Sequence, residues 1–327
     1  MIPFLDNHNK LRILTYHRII NLTDDFIQHR GVISATPENF ERQIKFLVKN
    51  YNLISFDHLK QAVDAKIKLP QRSLIITFDD GYKDNYTNAF PLLQKYGAPA
   101  TFFLTTGFLD GSNVPWWDGL ARALQKTTIP KVNLGILGKY NLNSPKDKLL
   151  TISMVNGKLK NMNDTERIQK IEWIKSKLGI NTKENDSYSQ FMSWDNIMEM
   201  DKEGMQFGAH TVTHCNLTKQ SILEAKREII ESKKRIEEKL NKDIIAFCYP
   251  YGHKKFLNQD IIALLRKSSF FCAVSTELGI NTLNGKLNLY TLKRINIDYQ
   301  DSFGKVKMKL NEFVINSYLN IRRFSKK

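Results

Sequence analysis

The chain has 327 residues, enough to bury a full core in one large domain or in one domain carrying an insertion. Its 49 Lys and Arg against 33 Asp and Glu give a formal charge of +16, which favours acidic partners; no nucleic-acid-binding motif accompanies that charge, so no nucleic-acid partner is expected. The 3 cysteines lack CxxC spacing and exclude a disulfide framework, and no run approaches the ~18 apolar residues of a membrane-spanning helix. Met1–Lys10 is polar, without a basic stretch leading into an apolar one, so no secretory leader is expected and a cytoplasmic setting is.

Short apolar runs alternate with helical patterns, which predicts an α/β fold around a mostly parallel sheet. Ile13–Tyr16 reads as the first strand. Thr36 and Pro37 open a helix whose stripe is Phe40, Ile44 and Leu47. A short strand at Leu53-Ile54 and a helix over 57–66 precede Ser73–Phe78, a strand apolar enough to be buried on both faces. It ends in Asp79-Asp80-Gly81, and a helix with Tyr86, Phe90 and Leu93 leads to a strand over 100–105. From 106 to 190 the alternation fails. This stretch, with Trp116-Trp117 and the polar cluster Asn161–Asp164, reads as an inserted lid of irregular structure. Regularity resumes with a helix capped by Ser193, a strand over 205–209 running into His210, and a long helix opened by Ser221 and Glu224. A strand over 244–248 ends in Tyr249-Pro250-Tyr251-Gly252; helix and strand patterns follow at 258–268, 270–275 and 289–297. The segment 301–327 reads as a basic amphipathic helix, with Val306, Leu310, Phe313 and Val314 at helical spacing among Lys305, Lys307, Lys309, Arg322, Arg323, Lys326 and Lys327. Such a helix either packs on the core with a solvated basic face or makes peripheral membrane contact.

The chemistry collects just past the C-terminal ends of strands, where barrels and open α/β sheets place their sites. Asp79 and Asp80 are adjacent, so their side chains diverge and can take different tasks, one as a metal ligand and the other as a base. Asp-Asp-Gly also suits a plain strand-ending turn. His210 and His214 are four apart in His210-Thr211-Val212-Thr213-His214, and at helical spacing both rings share one face, with Thr211 and Thr213 placed to orient them. One carboxylate, two imidazoles and an open position describe a catalytic zinc site rather than a structural one.

Thr77-Phe78-Asp79-Asp80-Gly81-Tyr82, His210-Thr211-Val212-Thr213-His214 and Tyr249-Pro250-Tyr251-Gly252, in this order and strand context, resemble the polysaccharide deacetylases of carbohydrate esterase family 4, the NodB-homology domain. The resemblance covers residues 10–300 apart from the insertion 106–190. It implies a distorted (β/α) barrel of about seven strands and metal-dependent removal of acetyl groups from sugars. By motif, Asp79 would be the general base, Asp80, His210 and His214 the ligands of Zn²⁺ or another first-row divalent metal, and the Tyr251 N–H an oxyanion donor. Two positions depart from the family pattern. Cys248 stands where an Arg usually holds the base, and Arg294 stands where a His usually protonates the leaving amine. His17, in Leu14-Thr15-Tyr16-His17-Arg18, resembles the Tyr-His segment of the permuted branch that deacetylates poly-N-acetylglucosamine, and is the candidate acid. Trp116, Trp117, Tyr249 and Arg294 are the candidate substrate contacts, whereas Trp194 reads as packing.

The expected substrate is therefore an N-acetylated glycan, and a cytoplasmic setting would favour a precursor such as a lipid-linked sugar. Deformylation or O-deacetylation of a lipid-linked sugar is the alternative within the class. A glycan-binding relative that has lost turnover is the alternative outside it, motivated by the departures at 248 and 294 and opposed by the intact Asp79.

Overall fold

The computed structural model describes residues 9–22, 30–109, 114–180, 190–283 and 287–324. Seven parallel strands, numbered here in chain order, form the barrel: β1 (Lys10–Tyr16), β2 (Ser73–Phe78), β3 (Thr101–Leu104), β4 (Gln206–Ala209), β5 (Ala246–Cys248), β6 (Cys272–Leu278) and β7 (Leu292–Asn296). Closure falls to β1. It pairs with β2 from Leu11 opposite Ser73 to Tyr16 opposite Phe78, and with β7 through Leu14 opposite Ile295 and Thr15 opposite Asn296. The expected (β/α) barrel is thus the fold.

The two-residue period of a strand sorts the core into two layers. Leu14, Leu74, Ile76, Phe78, Phe102, Leu104, Phe247 and Ile295 pack outward against the surrounding helices. Leu11, Ile13, Ile75, Phe103, Ala246, Val274 and Leu292 fill the interior. Continuing that inward register toward the C-terminal mouth gives Thr77 and Asp79 after Ile75, Cys248 after Ala246, and Arg294 after Leu292. Four polar groups therefore stand above an apolar floor, and the arrangement follows from strand geometry alone.

Helix ends follow their sequence signals. Thr36 accepts from the Asn39 N–H with Pro37 in the first turn, and Phe40, Ile44 and Leu47 are buried. Ser221 caps the long helix Ile222–Leu240, but Glu224 turns to Arg227 rather than back to Ser221, so the expected capping box is only half formed. Trp194 is buried in the outer core, as expected.

Two expectations need correction. The insertion contains three regular helices, Trp116–Lys126, Pro145–Leu159 and Asp164–Lys177, with an antiparallel ribbon of Lys131–Asn133 and Lys139–Asn141. It has its own apolar core, including Leu120, Leu124, Leu134, Val155 and Ile174. Within its polar cluster, Asn163 is the N-cap of the third helix, accepting from the Glu166 N–H. The C-terminal segment is two helices rather than one, Phe303–Leu310 and Glu312–Phe324, parted at Asn311, whose side chain accepts from the Phe313 and Val314 N–H groups. Val306, Leu310 and Ile315 pack into the outer core, while Lys305 and Lys309 pair with Asp301. Lys326 and Lys327 lie outside the described residues.

Candidate active site

Asp79 directly follows β2, and its N–H donates to the Tyr16 carbonyl at 2.9 Å, which fixes it beside the end of β1. Its carboxylate is 2 % exposed and is gripped by Arg294 through two parallel bonds, Nη1 to Oδ1 at 2.8 Å and Nη2 to Oδ2 at 2.8 Å. Burial by itself would raise the pKa of this carboxyl; the Arg294 guanidinium outweighs burial and holds it well below the usual carboxylate range. Arg294 is itself aimed by Nε donating to the Ser275 carbonyl at 2.8 Å and by Nη1 donating to Thr77 Oγ1 at 3.2 Å. Cys248 completes the cluster, its Sγ 3.2 Å from Arg294 Nη2 and 3.4 Å from Asp79 Oδ2. Burial pushes its thiol pKa up, so the sulfur stays protonated and neutral.

Asp80 turns the other way. Its φ of 75° and that of Gly81 at 84° put two successive residues in the left-handed region, where a side chain at 81 would be strained and would also meet Leu104 Cδ2 at 3.2 Å. The turn aims the Asp80 carboxylate at two imidazoles, with Oδ1 lying 3.4 Å from His210 Nε2 and 3.4 Å from His214 Nε2. The His210 Nδ1–H donates to the Cys248 carbonyl at 2.7 Å, which turns its Nε2 toward Asp80. His214 is neutral across the physiological range, since burial pulls its pKa down to about 3 against the opposing charge of Asp80.

These three side chains fit a divalent metal. One ligand atom from each lies within 4.8 Å of the others, all three residues are buried, and Asp80 Oδ1 has no hydrogen-bond partner. A sealed carboxylate oxygen without a donor between two imidazole nitrogens is what a cation would satisfy. The cation would be held by Asp80, His210 and His214.

The His210–His214 segment is not helical, contrary to expectation. Thr211 and His214 have φ of 66° and 56°, and the rings converge because the chain loops back. The threonines do not orient the imidazoles either. Glu228, on the long helix after β4, accepts from the N–H groups of Val212 and Thr213 at 2.9 Å each and from the Thr213 hydroxyl at 3.1 Å, and so pins the loop.

His17 follows β1, with Nε2 3.9 Å from Asp79 Oδ2 and the side chain 26 % exposed. Its backbone is clamped: the N–H donates to Ser34 Oγ at 2.9 Å, and the carbonyl accepts from Asn85 Nδ2 at 2.6 Å. Tyr251 has a φ of 62°, and its N–H finds no acceptor among the described residues. A cavity of about 220 Å³ is lined by His17, Asp79, Asp80, His210, His214 and Tyr251. The insertion supplies Trp116, Trp117 and Lys160 as its wall. Trp116 Nε1 donates to the Tyr251 hydroxyl at 3.2 Å, and Trp117 Nε1 donates to the Tyr82 hydroxyl at 2.9 Å with its ring 4.7 Å from that of His214.

The four candidate substrate contacts thus separate. Trp116 and Trp117 line the cavity. Tyr249 also borders it, but its hydroxyl is spent on the Tyr290 carbonyl at 2.8 Å. Arg294 is corrected: it is 1 % exposed, and its donors are taken by Asp79, Thr77 and Ser275, so it holds Asp79 rather than a substrate. It occupies from β7 the role that the family pattern gives to position 248 on β5. The sequence carried a signal for this, because an Arg missing at one inward register position reappears at another. Glu228 and Lys160 left no comparable signal.

A held carboxylate, a carboxylate–diimidazole cluster and a third imidazole thus stand together at the C-terminal mouth of a closed parallel barrel, the place and the kinds of group that metal-assisted hydrolysis uses. The chain belongs to the polysaccharide deacetylase family, whose family model matches residues 66–129 and 158–270, just over half of its length. Among characterised relatives, the poly-β-1,6-N-acetyl-D-glucosamine N-deacetylase of Staphylococcus aureus (strain MRSA252) is 29% identical over 218 residues, which span 61% of this chain and 71% of that protein. The Streptococcus pyogenes deacetylase PplD, solved in complex with acetate, shares the fold with a TM-score of 0.63 at 20% identity, over 92% of this chain and 98% of that one. IcaB from Ammonifex degensii does so with a TM-score of 0.58 at 18% identity, over 92% and 97%.

Proposed function

We propose that this chain is a metal-dependent N-deacetylase acting on an acetamido sugar of a polysaccharide or glycan precursor, with release of acetate. The observation that carries the proposal is the pairing of two unlike carboxylates at one cavity. Asp79 is held ionised by Arg294, while one oxygen of the adjacent Asp80, Oδ1, has no hydrogen-bond partner and lies between two histidines. A bound Zn²⁺ or similar ion would supply Lewis acidity toward the acetyl carbonyl and toward water.

The chain's own groups divide the remaining work. Asp79, locked in orientation by Arg294, takes the proton of the attacking water. The Tyr251 N–H donates to the oxygen on which charge develops. His17, at the edge of the cavity and within 3.9 Å of Asp79, gives a proton to the departing amine nitrogen. Trp116 and Trp117 exclude water and present aromatic faces to the sugar. The name of the staphylococcal relative makes β-1,6-linked N-acetylglucosamine oligomers the first substrate to try.

Metal content and acetate release test the proposal together. Wild type supplied with zinc should hold about one ion per chain and liberate acetate from such oligomers, and the His210→Ala/His214→Ala variant should do neither. A protein that takes up no metal when zinc is supplied would sink the reading and leave a glycan-binding relative in its place. Acyl transfer to water from an O-acetyl or N-formyl sugar at a higher rate would move the assignment within the class.

A further inference from the structure

The insertion places one charged group in the cavity, Lys160, that the proposed reaction does not use. Lys160 ends the helix Pro145–Leu159, and its carbonyl accepts from the side chain of Asn216 at 3.1 Å. Asn216 is fully buried two residues after His214, so the insertion is fastened to the loop that carries the histidines. The Lys160 side chain lines the cavity beside Asp80, His214 and Tyr251, with Nζ 5.6 Å from the centroid of the Tyr251 ring. That ring packs in turn on His214 at 5.0 Å. Among the described residues Nζ has no hydrogen-bond acceptor and no ion-pair partner.

The charge balance in the cavity makes this ammonium conspicuous. Asp79 is neutralised by Arg294. Asp80 is the remaining carboxylate of the wall, and a divalent cation held there would more than cancel it. Burial lowers the pKa of this lysine, the Asp80 charge pulls it back up, and Lys255 lies close enough to lower it further. A neutral acetamido sugar offers nothing to balance a half-sealed ammonium in such surroundings, whereas an anionic substituent does.

We infer that Lys160 is a specificity-determining residue that binds an anionic group, a carboxylate or a phosphoryl, carried by the acetamido sugar or its neighbour. This rests on the deacetylase reading and narrows its substrate class from N-acetylated glycans in general to acidic ones. Lysine suits the role because a single compact ammonium accepts either anion, without the planar demand of a guanidinium.

The test compares N-acetylglucosamine with N-acetylmuramic acid, which carries a carboxylate, and with N-acetylglucosamine 6-phosphate. Binding to the full-length chain is read by calorimetry on metal-free and on zinc-loaded protein, and acetate release is read with zinc supplied. Wild type should prefer at least one charged sugar by about tenfold or more, the size of a hydrogen bond to a charged group. Lys160→Met should abolish that preference and Lys160→Arg should restore most of it. Whichever charged sugar shows the effect identifies the anion. Equal binding of all three sugars, no binding of any, or a preference that survives in Lys160→Met would overturn the inference. Failure of the deacetylase reading would show differently, as charge-dependent binding without acetate release from any sugar.

Discussion

A carboxyl group sealed from water is normally driven toward its protonated form, and a protonated Asp79 could not serve as a base. Arg294 reverses that outcome, so replacing it should restore the ordinary effect of burial. In Arg294→Gln the Asp79 pKa should rise, and the acidic limb of the kcat/KM profile should move to higher pH, whereas wild type keeps Asp79 ionised throughout the neutral range. The sign for stability is the same. Because the folded-state pKa is depressed, the pair contributes fully above the unfolded value of ~3.9 and is lost only as pH falls through the lower folded value. Breaking a buried pair from one side costs about 3–5 kcal/mol, so chemical denaturation of Arg294→Gln at pH 7 should show a loss of that order. An unshifted acidic limb would mean that something other than Arg294 keeps the base charged. His17 makes the complementary case. His17→Ala should retain its metal and lose most turnover, and an unchanged rate would discard His17 as the acid. The motifs show which carboxylates and histidines are present and that position 248 holds a cysteine, but not that Arg294 on β7 is the group that reaches Asp79. That reading needs the inward register of two strands distant in sequence.

At the scale of elements, the loop from His210 to His214 departs most from its sequence pattern. Four-residue spacing suggests one face of a helix, yet Thr211-Val212-Thr213 is a β-branched run, which loses side-chain freedom in a helix and so disfavours one. The loop holds its left-handed turns because Glu228 accepts three hydrogen bonds from it. Glu228→Ala would leave those donors without a partner while removing no ligand atom. Metal affinity, measured by zinc competition against a chelator, should fall about 10–100-fold, as for other groups that orient ligands from behind. Turnover at saturating zinc should be largely kept. Loss of turnover even at saturating zinc would instead assign Glu228 a part in the chemistry.

Across the whole molecule, the barrel was legible because its strands are short, apolar and regularly spaced, and their C-terminal ends carry the motifs. The insertion was not, because apolar residues lie on both faces of its helices. Leu150, Met154 and Ile168 are exposed while Ile152, Val155 and Ile171 are buried, and this blurs the helical period. The division into two cores has a functional consequence. Asp79, Asp80, His210 and His214 belong to the barrel, whereas Trp116 and Lys160 are carried by the insertion, and Trp117, on its first helix, packs into the barrel's outer core. Leu124 is fully buried in the insertion's core and is not among the residues lining the cavity, so Leu124→Ala should destabilise that layer by about 2–5 kcal/mol and leave the barrel intact. Zinc stoichiometry should then be unchanged, KM for the glycan should rise several-fold, and amide exchange should quicken within 116–177 but not in β1 to β7. If the variant instead sheds its metal, the insertion would be supporting the histidine loop through Asn216 and Thr213, which bond to Lys160 and Asp164. The two layers would then be one cooperative unit rather than a metal site with a separable substrate wall.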